Sequence, residues 1–257
     1  MSRSRGTALI TGAARRIGRA LALAFAEDGY DVAVHYDQSR EEANATAAAA
    51  RSFGVKAEIV DADLTDRGAI SKLVPDVAKM FDAPLTVLVN NASIFDYDNI
   101  RTATSESWDR HFRSNLEAPF FLTQAFHAGF SRSHANQTGC VINLIDQRVR
   151  KLTPEFMTYS LAKSALWTFT QTAAQALAPD IRVNGIGPGP TIRGARQSED
   201  HFERQKAATL LGAGSSVDGI VGAARFILSA QELTGQLLCI DGGQHLAWQT
   251  PDIIGEV

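Results

Sequence analysis

The sequence predicts an α/β protein with a doubly wound, seven-stranded parallel sheet and helices on both faces of that sheet. Two observations support this fold class. Short β-branched, apolar runs alternate with helix-like segments along all 257 residues, as is typical of strands that are buried on both faces. In addition, no linker rich in Gly, Pro or Ser divides the pattern, so we expect residues 1–257 to form a single domain.

The predicted elements follow each other in the order strand, helix, strand. The chain between most successive strands is long enough for the helical crossover that parallel strands require. The predicted strands are residues 7–11, 31–36, 56–60, 85–89, 140–145, 181–186 and 236–240. The predicted helices are residues 16–29, 40–54, 66–81, 105–130 and 155–178.

Two segments depart from this regular pattern. Residues 193–212 are polar and helix-like and follow the turn "GPGP". We interpret them as a substrate-loop insertion over the carboxyl edge of the sheet, where such folds bind ligands. Residues 246–257, "LAWQTPDIIGEV", are too apolar to hang free in water. We expect this C-terminal tail to pack against a neighbouring subunit near the active site.

Composition argues against several classes of function. The formal charge of −3 leaves no basic surplus that would attract nucleic acid or anionic lipid, and no apolar run approaches the roughly 20 residues of a membrane helix. The start of the chain resembles a signal peptide, but its apolar stretch fits the pattern as the first strand. Cys140 and Cys239 fall in predicted strands, and buried thiols suit a reducing cytoplasm. Six scattered histidines show no metal-ligand spacing, so no metal site is expected.

The turn after the first strand, "TGAARRIGRA", suits a phosphate group. Gly12 and Gly18 lie six residues apart, with Ile17 at the start of the predicted helix. Such a turn presents backbone N–H groups and the positive end of a helix dipole. The same spacing occurs in plain strand–helix turns, but the strand before it and the helix after it favour a nucleotide site.

The end of the second strand indicates which nucleotide binds. An NAD site normally has an acidic residue there, and this chain has none at position 35, although Asp37 follows. Arginine binds a 2′-phosphate bidentately and can neutralise Asp37. NADPH is therefore the predicted cofactor, and the alternative is that the arginines are solvated surface residues. The side chains expected at this phosphate are Arg15, Arg16, His35, Tyr36, Ser39 and Arg40.

Polar residues also follow the third and fourth strands. Asp63, beside Leu64, can accept a hydrogen bond from an adenine amino group or can cap the next helix. The backbone of Asn90, Asn91 and Ala92 is expected to line the cofactor ribose.

Tyr159 and Lys163 lie four residues apart, on one face of a predicted helix. A free tyrosine has a pKa of about 10, so proton transfer near neutral pH requires a shift of roughly 3 units, or about 4 kcal/mol. One ammonium group about 4 Å away supplies energy of this order at an effective dielectric constant near 20. The spacing therefore suits a proton relay, although it also occurs on solvated helix faces.

These motifs together resemble the short-chain dehydrogenase/reductase family. "TGxxxxxG", "NNA", the asparagine of "RSNLEAPF", Y-x-x-x-K, "IRVNGIGPGPT" and a late "DGG" appear in the family's order, over residues 5–245. The resemblance implies a Rossmann fold in which Asn115 holds a relay water and Tyr159 delivers a proton. It also implies that Lys163 binds the nicotinamide ribose and lowers the pKa of Tyr159. The residues implied at the nicotinamide end are Pro188, Gly189 and Thr191.

Departures from the usual family pattern resemble one of its branches. Asp146 stands where serine is usual, Arg16 where glycine is usual, and "NNAS" where "NNAG" is usual. With "HYDQS", Phe95 and "DGGQHL", these features resemble the pteridine reductases and bacterial dihydromonapterin reductases. The resemblance implies that Asp146 joins the Tyr–Lys pair and that Ser93 and Phe95 line a pterin pocket.

The chemistry of Asp146 agrees with this branch. Reduction of a ketone puts negative charge on oxygen, which an ionised carboxylate would repel, so Asp146 would then have to be protonated. Reduction of a C=N bond needs a proton on nitrogen, where a carboxylate stabilises cationic character. Asp146 can instead simply cap the loop after the strand. Phe95, in a mostly polar loop, is expected to stack on a flat pterin, and plain packing is the alternative.

We therefore predict an NADPH-dependent reductase that transfers hydride to a dihydropterin such as dihydromonapterin or dihydrobiopterin. A carbonyl or 3-oxoacyl reductase of the same family is one alternative, because members of this fold change substrate by loop variation. A non-catalytic NADPH-sensing regulator is another, although such a protein has no need of a proton relay. The family resemblance and the apolar faces of residues 105–130 and 155–178 predict a homotetramer.

Overall fold

The seven predicted strands form one parallel sheet in the computed structural model, which describes residues 4–130, 138–193 and 198–248. Their ends differ from the predicted ends by no more than two residues. The strands are β1 (Thr7–Ile10), β2 (Asp31–Tyr36), β3 (Ala57–Asp61), β4 (Leu85–Asn90), β5 (Gly139–Leu144), β6 (Ile181–Pro188) and β7 (Leu237–Ile240). They lie in the order β3-β2-β1-β4-β5-β6-β7, so the doubly wound, single-domain fold class is confirmed.

Helices cover both faces of this sheet. The helices of the described residues are α1 (Arg16–Glu27), α2 (Arg40–Arg51), α3 (Arg67–Met80), α4 (Ser105–Phe112), α5 (Ala118–Gly129), α6 (Met157–Leu177), α7 (Glu199–Ala207) and α8 (Val217–Ser229). Leu9 of β1 packs in one apolar layer with Phe126 of α5, whereas Ile10 packs in the opposite layer with Phe25 of α1. Each such buried side chain contributes about 1.5–3 kcal/mol of transfer free energy.

The segment 105–130 is not the single helix that the sequence predicts. A π-helical turn, Arg113–Glu117, separates α4 from α5. Pro119 lies in the first turn of α5, where backbone N–H groups have no partner within the helix, so proline is tolerated there. The prediction is wrong about continuity because a π turn has no periodic signature in the sequence.

The sequence analysis also missed α8. Its buried residues Ile220, Ala223, Ala224 and Ile227 have the spacing of an amphipathic helix. Glycines at two positions interrupt the helix propensity of this stretch. The Ser216 side chain caps the helix by accepting a hydrogen bond from the next glycine's N–H.

Two absences concern the described residues only. Within them, no helix is both long enough and apolar enough to cross a membrane. The same residues contain no group of three or more His, Cys, Asp or Glu side chains placed to hold a metal ion. The tail expected to reach a neighbouring subunit falls mostly on residues 249–257, outside the described part of the chain.

Candidate active site

A cavity of about 720 Å³ opens where the parallel strands end. This volume falls within the range of small-molecule sites, about 300–1,000 Å³. Helix α7, from the predicted insertion 193–212, contributes Phe202 to its wall, whereas residues 194–197 of that segment lie outside the described chain. The predicted site residues that line the cavity are Arg16, Ile17, Asn91, Ser93, Phe95, Asp146, Tyr159, Lys163, Pro188, Gly189 and Thr191.

Asp146 and Tyr159 form a hydrogen-bonded pair in the cavity wall. The Tyr159 hydroxyl donates to Oδ2 of Asp146 at 2.9 Å. Oδ1 of Asp146 accepts from the backbone N–H of Arg148 at 2.8 Å and so caps the short 3₁₀ turn Gln147–Val149. Both interpretations of Asp146 therefore describe part of the structure, because one oxygen caps the loop and the other binds Tyr159.

Lys163 lies one helical turn beyond Tyr159 on α6. Its Nζ donates a hydrogen bond of 2.7 Å to the carbonyl oxygen of Leu144, at the end of β5. The same Nζ lies 5.7 Å from the centre of the Tyr159 ring. Lys163 thus ties the helix that carries Tyr159 to the strand that precedes Asp146.

Burial controls the protonation of these three groups. Burial raises the pKa of Asp146, against the opposing effect of the Arg148 N–H and nearby cations. Burial and then the Asp146 carboxylate raise the pKa of Tyr159 well above its ordinary value. Burial lowers the pKa of Lys163 to about 8. The net shift is upward, so Tyr159 holds its proton in this arrangement, and the lowering of the Tyr159 pKa expected from Lys163 stays a prediction.

Asn115 lies in the π-helical turn and is fully buried. Its Oδ1 accepts from the N–H of Ile94 at 2.9 Å, and its Nδ2 donates to the carbonyl of Ile94 at 2.8 Å. The side chain therefore holds the loop after β4 at two points. The relay water expected at Asn115 stays a prediction.

Phe95 is in that loop and is 51 % exposed. Its ring meets the Tyr159 ring edge-on, with centroids 4.7 Å apart and an angle of 74° between the planes. Ser93, in the same loop, is exposed at the cavity, and its hydroxyl lowers the pKa of Tyr159 by a small opposing effect. The structure thus brings both predicted pterin-pocket residues to the Tyr159 side chain.

The glycine turn after β1 is packed too closely for larger side chains. A Cβ atom on Gly18 would lie 2.3 Å from the carbonyl oxygen of Gly12 and 2.6 Å from Nδ2 of Asn91. Gly12 itself has a φ of 63°, which favours glycine. Asn91 donates to the Thr11 carbonyl at 2.8 Å, and Ala92 N–H to the Thr11 hydroxyl at 3.0 Å. The turn is therefore braced against the loop after β4.

The start of α1 fits a dinucleotide phosphate. Within the described structure, Arg15 makes no side-chain cap there, and the first turn carries no acidic residue. Backbone N–H groups at a helix start bind anions, so the residues present fit the cofactor that the sequence predicts.

The chain after β6, at the predicted nicotinamide end of the site, passes close to Asp241. A Cβ on Gly189 would lie 2.7 Å from Cα of Asp241, so only glycine allows this close approach. Thr191 donates to the carbonyl of Gly189 at 3.0 Å.

The two arginines of the turn point to different sides of β1. Arg15 lies on the β2 side and pairs with Glu42 of α2 at 3.3 Å. Arg16 lies on the β6 side, where its guanidinium donates to the carbonyls of Ile192 and Arg193 at 2.9 and 3.2 Å. The expectation that Arg16 joins Arg15 at the 2′-phosphate is therefore wrong for this arrangement, because its guanidinium lines the cavity instead.

His35 is buried and serves the glycine turn. Its Nδ1 accepts from Gly12 N–H at 3.0 Å, and its Nε2 lies 3.0 Å from the carbonyl oxygen of Ala62. This pattern assigns the proton to Nε2. Burial lowers the pKa of His35 to about 4, so the ring is neutral. Both ring nitrogens are engaged, and His35 can act on the cofactor only through the turn.

The remaining predicted cofactor residues lie near the ends of β2, β3 and β4. Tyr36 and Leu64 are buried, Ser39 precedes α2, and Arg40 begins α2 on the surface. Oδ1 of Asp63 accepts from the N–H and hydroxyl of Thr65, both at 2.8 Å, whereas Asp66 caps α3. The capping role proposed for Asp63 is thus wrong. Asn90 donates to Asn143 of β5 at 2.8 Å and is buried below the site.

A buried hydrogen-bond network, which the sequence analysis did not predict, holds the loop after β4 to α6. Asp98 accepts from the N–H of Thr158 at 3.0 Å, and the Thr158 hydroxyl also binds its carboxylate. His111 accepts from the N–H of Asp96 at 3.1 Å and bonds to the Thr158 hydroxyl at 2.7 Å. These residues come from three separate segments, so no local sequence pattern marks them.

Comparison with known proteins identifies the family. Residues 6–204 match the short chain dehydrogenase family. The chain belongs to the short-chain dehydrogenase family. As a member of that family, it is an oxidoreductase.

Three relatives show how wide this family is. The structure of FolM alternative dihydrofolate reductase 1 from Brucella suis, in complex with NADP, has 42 % identity and a TM-score of 0.91 over 96 % of this short-chain dehydrogenase and 98 % of that chain. Galactitol 2-dehydrogenase from Agrobacterium fabrum is 34 % identical over 93 % and 97 % of the two chains. The 3-oxoacyl-[acyl-carrier-protein] reductase FabG from Staphylococcus aureus is 30 % identical over 93 % and 98 %.

Proposed function

We propose that this NADP(H)-dependent oxidoreductase reduces a dihydropterin. The observation that carries the proposal is the 2.9 Å hydrogen bond between Tyr159 and Asp146. A carboxylate in direct contact with the proton donor suits a substrate that develops positive charge at nitrogen, as a C=N bond does on reduction. The same contact is unfavourable for a substrate that develops negative charge on oxygen.

The cofactor site supports NADP(H). The glycine turn presents the start of α1, Arg15 and Arg40 flank it on the β2 side, and Lys163 is at the predicted nicotinamide end. NADPH supplies the hydride when bound. The NADP complex of the similar Brucella suis protein supports the same choice.

The proton comes from the protein. Because Tyr159 holds its proton, it is the donor to the substrate nitrogen, and the substrate then gains one hydride on carbon and one proton on nitrogen. After this transfer, a proton from solvent restores Tyr159: the raised pKa of Asp146 lets the carboxylate take up that proton and pass it to Tyr159 through their hydrogen bond. Lys163 stabilises the negative charge that Tyr159 carries between these transfers.

The shape of the site supports a flat substrate. Phe95 stands beside Tyr159 with half of its side chain exposed at the cavity. An aromatic wall stacks on a planar heterocycle, and such contacts contribute about 0.5–1.5 kcal/mol beyond the area buried. The name of the similar Brucella suis protein, an alternative dihydrofolate reductase, points to a substrate with the same ring system.

Reduction of a ketone, including a 3-oxoacyl group, is the second candidate. One observation favours it: burial raises the pKa of Asp146, and a protonated Asp146 can donate to a developing oxyanion. The Staphylococcus aureus relative named for 3-oxoacyl reduction fits this candidate as well. The sensor hypothesis has less support, because Tyr159 and Lys163 line the cavity and Asn115 holds the loop after β4 that also lines it.

The homotetramer and the cytoplasmic location stay predictions. Phe120 and Phe121 of α5 and Leu161 of α6 are 40–47 % exposed, as expected for apolar helix faces that pair between subunits. Light scattering at micromolar concentration measures the assembly, and a monomer would contradict this prediction.

One assay tests the proposed function. NADPH oxidation is followed with dihydromonapterin, dihydrobiopterin, a 3-oxoacyl thioester and no substrate. We expect kcat/KM to be largest for a dihydropterin. A larger value for the thioester would support the second candidate, and NADPH binding without turnover of any substrate would support the sensor.

A further inference from the structure

The ring of Phe156 lies parallel to the ring of Phe95 in the cavity wall. Their centroids are 4.3 Å apart and their planes differ by 6°. Tyr97 meets Phe156 edge-on at 5.2 Å and 87°. A parallel stack this close covers one face of Phe95, while half of the Phe95 side chain stays exposed.

The backbone of Phe156 adopts a conformation that bulky residues rarely take. Its φ of 55° and ψ of 50° lie in the left-handed region, directly before the first residue of α6. This region costs free energy for a residue with a Cβ, and glycine is the usual occupant. A phenylalanine kept at such a position indicates that its ring has a use, since outliers of this kind concentrate at functional sites.

Contacts connect this stack to the acid pair in a closed ring. The Arg148 guanidinium lies 5.0 Å from the centre of the Phe156 ring, and the Arg148 N–H binds Asp146. Asp146 accepts from Tyr159, whose ring meets Phe95 at 4.7 Å. The flat wall and the proton donor therefore belong to one ring of contacts among five residues.

We propose that Phe156 is a positioning residue for planar substrates, because it sets the plane of Phe95 relative to Tyr159. The inference rests on the proposed function and narrows its substrate class to planar ring systems. A flat ring gains stacking energy only if the wall is parallel to it. A flexible aliphatic substrate can adapt to a tilted wall, so it depends little on Phe156.

The test compares two variants at this position. Phe156→Leu keeps apolar volume and removes the ring, whereas Phe156→Tyr keeps the ring. We expect Phe156→Leu to raise the KM for a dihydropterin about 2- to 12-fold, with kcat and the NADPH Kd within about 2-fold of wild type. Phe156→Tyr is expected to keep the wild-type KM. Phe53→Leu, which changes an exposed phenylalanine after α2, is the matched control.

A pair of substrates separates positioning from general damage. The KM of Phe156→Leu for a 3-oxoacyl thioester is expected to stay within about 2-fold of wild type, because that substrate is not planar. Equal rises for both substrates, no rise for the planar one, or a Phe156→Tyr variant that behaves like Phe156→Leu would each overturn the inference. If Phe156→Leu does not fold, Phe156→Gly removes the ring at a φ that glycine accepts and is expected to show the same selective rise.

Failure of the proposed function gives a different result. If the wild type turns over no dihydropterin, the proposed function is wrong. The same comparison is then made with a planar fused-ring quinone, for which Phe156→Leu should again raise the KM selectively. A wild type that reduces neither planar compound overturns the inference together with the proposed function.

Discussion

The Tyr159 hydroxyl and the Asp146 carboxylate share a hydrogen bond of 2.9 Å although they are 13 residues apart in the chain. Each partner is held by its own element. Asp146 caps the turn after β5. Tyr159 is carried by α6, and the hydrogen bond from Lys163 to the Leu144 carbonyl fixes the rotation of that helix about its axis. The pair therefore depends on the end of one strand and the rotation of one helix, and its members can be tested separately.

Tyr159→Phe removes the hydroxyl and keeps the ring beside Phe95. We expect kcat to fall about 100-fold or more, because general acid catalysis contributes roughly 10²–10⁴-fold. The NADPH Kd, measured by fluorescence titration, is expected to change less than about 2-fold. Activity within a few-fold of wild type would show that another group delivers the proton.

Asp146→Ser replaces the carboxylate by the residue that is usual in the family. We expect kcat/KM to fall more for a dihydropterin than for a 3-oxoacyl thioester, because only the former uses a carboxylate beside the donor. Asp146→Asn is the control, since its amide oxygen can still accept from Arg148 N–H while its charge is gone. If Asp146→Ser loses both activities equally and Asp146→Asn loses neither, the carboxylate is only a cap.

Phe95→Ala removes the flat wall. We expect pterin binding to weaken by about 2–3 kcal/mol, some 30- to 150-fold, from lost stacking and lost apolar burial. NADPH affinity should change little. Calorimetric titration with NADP⁺ present measures both, and Phe95→Tyr serves as the control that keeps the ring. Unchanged pterin affinity in Phe95→Ala would remove the main shape argument for a pterin.

NADPH is expected to be strongly preferred to NADH. Arg15→Ala and Arg40→Ala should each raise the KM for NADPH about 10-fold, because each removes a charge-assisted contact to the 2′-phosphate. The KM for NADH should not change. Arg51→Ala is the control: Arg51 ends the helix that Arg40 begins, and its loss breaks an exposed ion pair with Glu58 of β3. Equal catalytic efficiency with both cofactors in the wild type would contradict this prediction.

Stability is expected to fall in acid because of His35. The unfolded chain binds a proton at His35 below its ordinary pKa near 6.5, whereas the folded protein does so only near its lowered pKa of about 4. Neutral His35 therefore contributes to the free energy of unfolding above pH 6.5. This contribution, at most about 3 kcal/mol in total, is lost as the pH falls from 6.5 towards 4. Urea unfolding across this range measures it.

His35→Gln is the matched variant for that experiment. Its side chain does not titrate, so its free energy of unfolding should depend less steeply on pH between 6.5 and 4 than that of the wild type. Parallel pH profiles for the two proteins would show that His35 does not carry this dependence.

Local patterns were enough to predict the sheet and the sites at its edge. The strands are continuous apolar runs, and the residues that follow them, such as Gly12, Asn91 and Asp146, meet because parallel strands end at one edge. The spacing of Tyr159 and Lys163 was equally local. The family resemblance added an expected function for each position, which spacing alone left open.

What sequence analysis missed depends on contacts between distant segments. The direction of Arg16 depends on carbonyl groups beyond β6, more than 170 residues later. The stack of Phe156 on Phe95 needs a left-handed backbone angle that no residue preference indicates for phenylalanine. The raised pKa of Tyr159 follows from how deeply the site is buried, which the i, i+4 spacing does not reveal.

The π-helical turn Arg113–Glu117 makes the chain length of this region functionally critical. A π turn contains one residue more than an α-helical path between the same flanking helices. Deleting a single residue there would let α4 and α5 merge into one regular helix, and every side chain on one side would rotate by about 100° relative to the other. The two hydrogen bonds between the Asn115 side chain and the Ile94 backbone would then break, and the loop that carries Ser93 and Phe95 would lose its attachment. Frame-preserving deletions in this segment are therefore expected to inactivate the enzyme even where they leave a stable helix.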